Sequence, residues 1–79
     1  MKYYRHYKGG IYLCLAIAKD SETLKPVVVY QAMYGDKAIW ARDYEMFFGT
    51  VIVDGLEKKR FEEIEISEEE LVIYGQTRK

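Results

Sequence analysis

The chain contains one cysteine, one histidine, one proline and one tryptophan among its 79 residues. A single cysteine cannot form an internal disulfide, which fits a reducing compartment better than a secreted scaffold. Cys14 and His6 fall short of the three or four ligands of a protein zinc site, so neither metal nor cofactor is expected. No apolar run approaches the ~20 residues of a membrane-spanning helix. The opening M-K-Y-Y-R-H-Y-K lacks the apolar segment of a secretory signal. A cytoplasmic location without a membrane partner is therefore expected. Phosphate-cradling loops of the form G-x-x-x-x-G-K-[ST] or G-x-G-x-x-G are absent as well.

Strong charge of one sign is also lacking. Through Arg60 there are ten Lys and Arg against seven Asp and Glu, a balance of +3; from Phe61 onward two oppose six, a balance of −4. The body is mildly basic and the tail acidic, and neither excess by itself implies a polyanion partner. Glu62 with Glu63, and Glu68 to Glu70, read as solvated acidic faces rather than acid–base pairs.

What the chain has in quantity is aromatic rings: eight Tyr, three Phe and one Trp. A domain of this length is near the lower limit for a single core without staples. Large rings fill such a core economically, because each buries about 150–250 Å².

The pattern along the chain is that of short strands. Lys2 to Lys8 interleaves Tyr3, Tyr4 and Tyr7 with cations and runs into Gly9-Gly10. It reads either as a first strand whose rings cover the core edge or as a basic, ring-bearing nucleic-acid surface. Ile11 to Ala18 is apolar on both faces, which predicts a central strand. Ile11, Leu13, Leu15 and Ile17 share one side. Lys19 to Thr23 is a loop, and Pro26 sets the start of the strand Val27 to Tyr34. Gly35-Asp36-Lys37 then turns the chain into Ala38 to Arg42, forming an antiparallel hairpin.

Asp43 to Phe48 predicts one turn of helix capped by Asp43 and ended by Gly49. Thr50 to Val53 is a short strand before the Asp54-Gly55 turn, and Phe61 to Ile66 alternates again. Ser67 to Glu70 has the form of a capping box. Leu71 to Tyr74 suits a short helix stopped by Gly75, or a strand on account of Val72-Ile73. Gln76 to Lys79 reads as frayed. The whole is mainly β: residues 1–66 form a small antiparallel SH3-like barrel with a helical turn near 43–48, and residues 67–79 an acidic C-terminal segment.

Four motifs occur in order: Y-R-H-Y-K-G-G-I-Y (Tyr4 to Tyr12), D-S-E-T (Asp20 to Thr23), V-V-Y-Q-A-M-Y-G-D (Val28 to Asp36) and W-A-R-D-Y-E-M-F (Trp40 to Phe47). Over roughly residues 3 to 64 the chain thereby resembles the short bacterial proteins grouped as "domain of unknown function 1653". The resemblance implies an SH3-type small barrel and no established activity. The family usually has Pro after the Arg of its W-x-R-P-x-x-M-F motif, where this chain has Asp43. Pro suits the first helical position and Asp the cap, so the helical turn is retained.

For function, the residues predict no enzyme. A Cys14–His6 nucleophilic pair needs hydrogen-bonding distance and a third, orienting group, and Cys14 lies in an apolar strand where a thiol acts as a small hydrophobe. The leading expectation is a non-enzymatic binding module for a peptide, a nucleic acid or a small anionic ligand. Its candidate residues are Tyr4, His6, Tyr7, Tyr34, Trp40 and Arg42. Trp40 and Arg42 fall on the same side of their strand, where an indole beside a guanidinium would suit a ring and an anion. The alternative is a structural domain that self-associates as a homodimer.

Overall fold

The β-branched and aromatic runs form strands, as their preference for a pleated, half-buried surface dictates. The computed structural model describes residues 1–77, with strands β1 (Tyr3–His6), β2 (Ile11–Lys19), β3 (Pro26–Ala32) and β4 (Ile39–Asp43), then helix α1 (Tyr44–Phe47). Strands β5 (Thr50–Val53), β6 (Leu56–Lys59) and β7 (Phe61–Ile64) follow, and helix α2 (Glu68–Thr77) ends the described chain. All pairings are antiparallel. One five-stranded sheet has the order β4-β3-β2-β1-β7, and β5 pairs with β6 as a separate hairpin. The protein is mainly β, with β2 central in its sheet as its two apolar faces predict.

Registers define the inner face. Tyr4 lies opposite Tyr12, Tyr12 opposite Ala32, Cys14 opposite Tyr30, and Tyr30 opposite Trp40. Partners directly opposite share a face, so these residues line one side of the sheet. The core on that side consists of Tyr4, Val28, Tyr30, Phe47 and Phe61, with Tyr12 and Cys14 packed against it. Val28 and Phe47 are completely buried; burying a side chain of that size contributes about 1.5–3 kcal/mol.

Simple alternation fails once. Cys14 pairs with Tyr30 and Ala16 with Val29, so Leu15 is an extra, bulged residue. Beyond the bulge Ile17 faces the same way as Val28, rather than sharing a side with Ile11 and Leu13 as the sequence suggested.

Turns and caps follow their residue types. Asp54 and Gly55 both take positive φ, 52° and 76°, the conformation that closes a two-residue hairpin between β5 and β6. Asp43 caps α1 by accepting from the N–H groups of Glu45 and Met46. Gly49 follows that turn because a Cβ there would lie 2.7 Å from the Glu45 carbonyl oxygen.

The C-terminal alternative resolves as helix. Ser67 Oγ accepts from Glu70 N–H at 3.1 Å while Glu70 Oε1 accepts from Ser67 N–H at 3.4 Å, completing the capping box. The helix runs through Gly75, which does not take the left-handed conformation of a helix stop. Gln76 and Thr77 are within α2; the rest of the expected frayed end, residues 78 and 79, lies outside the described residues.

Candidate functional site

Phe61 is the hub of the rings at one end of the inner face. Its ring stacks on Phe47 at 4.0 Å and meets His6 at 4.9 Å, Tyr30 at 5.4 Å and Tyr12 at 5.6 Å between centroids. The Arg42 guanidinium carbon sits 5.9 Å from the same ring centroid. Arg42 belongs to β4 and Phe61 to β7, the two ends of the strand order. The sheet is therefore curled enough to bring its opposite edges over one core.

Arg42 is held as well as placed. Its Nε–H donates to the Tyr30 hydroxyl at 3.3 Å, in addition to the contact with the Phe61 ring. Among the described residues no carboxylate pairs with it; the salt bridge present joins Lys2 to Glu63 at 3.4 Å near the surface. A planar guanidinium fixed through Nε keeps its terminal N–H groups available in the fork that suits carboxylate and phosphate.

His6 flanks the same hub. Lys8 N–H donates to its Nδ1 at 3.1 Å, so the lone pair lies on that nitrogen and the neutral ring carries its proton on Nε2. Burial depresses the imidazole below its usual range, and the positive charges of Arg42, Arg60 and Lys8 push in the same direction. His6 is accordingly a neutral donor beside cations. The Tyr7 ring lies against it, tilted by 36° with 4.4 Å between centroids, and the Lys8 ammonium is 5.7 Å from the Tyr7 ring.

Tyr12 and Tyr34 share a hydrogen bond between their hydroxyls. Burial raises the Tyr12 phenol well above its usual range, and the bond to Tyr34 raises it further. Both rings pass over Gly10, where a Cβ would lie 3.0 Å from Tyr12 Cε1 and 3.2 Å from Tyr34 Cε1. Gly10 is thus the seat of the ring pair as well as part of a turn.

The candidates named from the sequence divide into three groups. His6, Tyr7, Tyr34 and Arg42 are half-buried around the hub and its Tyr12–Tyr34 extension. Trp40 is on the same side of β4 as Arg42, since the two pair with Tyr30 and Val28, but it is 55% exposed and makes no ring contact among the described residues. Tyr4 is 6% exposed, and its ring packs against Phe47 and Phe48 in the core. Tyr4 contributes packing there, not surface.

Sequence reasoning missed Phe61, Tyr12 and Arg60. Arg60 Nε–H donates to the Met46 carbonyl at 3.1 Å, and its backbone bridges Gly49 and Tyr7. The available signal was Phe61 itself, a lone ring directly after Lys58-Lys59-Arg60. On the other side of His6, an open cleft of about 390 Å³ is lined by Arg5, Tyr7, Lys58 and Lys59 together with Glu57 and Glu62. Its charges nearly cancel. No hydrogen bond joins Cys14 to His6, and no three His, Cys, Asp or Glu side chains converge on a metal position among the described residues.

Fold and site together define a small antiparallel β protein whose curled sheet carries a basic, ring-lined rim. The chain belongs to the family described as protein of unknown function (DUF1653), which matches residues 2–63. It is similar to the crystal structure of a protein of that family from Bordetella bronchiseptica. The two are 34% identical with a TM-score of 0.71, over 78% of this chain and 82% of the other. No curated protein matches the sequence. No helix among the described residues is long and apolar enough to cross a membrane.

Proposed function

We propose that the curled sheet is an SH3-like barrel acting as a non-enzymatic binding module, whose rim holds the anionic group of a small, ring-bearing ligand. One observation carries this reading: Arg42 is oriented by Tyr30 and Phe61 but has no acidic partner among the described residues. Holding a half-buried guanidinium without a counter-charge costs desolvation that an incoming anion offsets. His6, kept neutral with a proton on Nε2, supplies a further donor at the same hub. Exposed Trp40, on the same side of β4, offers a face for a planar group.

A nucleic-acid strand is supported less well. Tracking a phosphate backbone needs a row of cations, whereas the cleft beside His6 alternates Lys58 and Lys59 with Glu57 and Glu62. The test is titration of the protein with mononucleotides, aromatic carboxylates and single-stranded DNA at two salt concentrations, read by fluorescence of its one tryptophan. Saturable binding of a small anion that Arg42→Ala abolishes and Arg42→Lys weakens is expected. Binding confined to single strands, with a salt slope of roughly −0.7 per phosphate neutralised over several phosphates, would replace this reading with the nucleic-acid one. Equal binding by wild type and Arg42→Ala would overturn the role of Arg42.

A further inference from the structure

The outer edge of β4 is the least protected in the five-stranded sheet. β7, at the other end, carries Glu62 and Glu63, whereas β4 opens on the apolar run Ile39-Trp40-Ala41 and meets charge only at Arg42, which is turned over Phe61, and Asp43, which caps α1. Proteins ordinarily blunt an exposed edge with charged residues, because its unpaired N–H and C=O groups template another strand. Ile39 is 60% and Trp40 55% exposed, on opposite faces of this strand. The β5–β6 hairpin also exposes Ile52 and Leu56, but β6 carries Lys58 and Lys59, the charges that blunt an edge.

The register says which backbone groups are free. Ala32 N–H donates to the Ala38 carbonyl at 3.0 Å. Along an antiparallel ladder hydrogen-bonded and non-hydrogen-bonded pairs alternate. Trp40 and Arg42 therefore direct their backbone groups toward β3, and Ile39 and Ala41 direct theirs outward.

We infer that this edge pairs with the same edge of a second copy, antiparallel about a two-fold axis at Trp40. Ile39 and Ala41 of one copy then exchange hydrogen bonds with Ala41 and Ile39 of the other. The two indoles meet across a non-hydrogen-bonded position, where side chains approach most closely. Both exposed apolar residues gain apolar neighbours. Shifting the axis to Ala41 would instead set Ile39 against Asp43, which matches a hydrophobe to a carboxylate. Arg42 falls opposite Ala38, so the seam sets no carboxylate against the guanidinium, and the indole is a ligand face only in the monomer.

Sedimentation equilibrium through the micromolar range tests the inference, with tryptophan emission as a second readout. Trp40→Glu places two carboxylates face to face at the axis, and Ala41→Pro removes an outward N–H that β3 does not use. The wild type should sediment as a dimer, with emission shifting to the blue as concentration rises. Both variants should be monomers with unchanged far-UV circular dichroism. Trp40 is 55% exposed and pairs with no other ring among the described residues, so Trp40→Glu remains decisive if Ala41→Pro fails to fold. A wild type that is monomeric throughout, or a dimer that Trp40→Glu leaves intact, would overturn the inference.

Discussion

The rings of Phe47 and Phe61 lie parallel, 4.0 Å apart with 4° between their planes. The other close ring contacts of the core are edge-on or tilted. Phe47 comes from α1 and Phe61 from the start of β7, so this stack fastens the helical turn to the far edge of the sheet. Phe47→Ala should therefore cost about 3–5 kcal/mol, a large share of the roughly 5–15 kcal/mol that holds a domain together. Urea unfolding monitored by circular dichroism measures it; a loss of less than about 1 kcal/mol would mean the stack is not a keystone.

His6 gives the fold a defined acid sensitivity. Its folded-state pKa is depressed by burial first and by Arg42 next, so below the usual 6.5 the unfolded chain takes up the proton more readily. Stability is present above that value and is lost as pH falls through the folded pKa. The chain has one histidine, so its imidazole resonances can be titrated without overlap. In Arg42→Ala the His6 pKa should rise but stay below 6.5, because burial remains. An unchanged pKa would show that Arg42 does not act on the imidazole.

A phenol of helix α2 bonds to the backbone of the sheet. Ile11 is 4% exposed, and its N–H donates to the Tyr74 hydroxyl at 2.9 Å. Tyr74→Phe keeps the ring but leaves that N–H without its acceptor, which should cost about 1–3 kcal/mol. Amide exchange at Ile11 should accelerate with it, while exchange at Val28 changes only as global stability does.

The cap of α1 makes a comparison between two substitutions informative. Asp43→Ala should cost about 1 kcal/mol by leaving the Glu45 and Met46 N–H groups uncapped. Asp43→Pro, which restores the pattern usual in the family, loses the same bonds. Yet Asp43 has φ −49°, within reach of proline, and its N–H points away from β3. Stiffening the unfolded chain returns about 0.4–1 kcal/mol, so Asp43→Pro should be nearly neutral. Thermal unfolding of the two variants side by side decides this.

Sequence alone determined what rests on neighbouring residues. Alternation and turn chemistry placed β3 and β4 to within two residues at each end, with Tyr34 falling beyond β3, and placed the Asp43 cap and the Ser67 capping box, because each depends on positions within a few residues. Strand β6 was missed, since Leu-Glu-Lys-Lys buries nothing and carries no periodic apolar signal. The bulge at Leu15 was invisible for a different reason: it is a property of the pairing with β3, not of the run itself.

Tertiary structure alone decided which rings are core and which are rim. Tyr4 and Tyr7 look alike in the N-terminal stretch, but pairing puts Tyr4 opposite Tyr12 in the core and leaves Tyr7 beyond the strand, against His6. The meeting of Arg42 with Phe61 lies further still from any local signal. Nineteen positions of chain separate them, and they sit at opposite ends of the strand order. Their contact depends on the cumulative curl of five strands, which no single segment encodes.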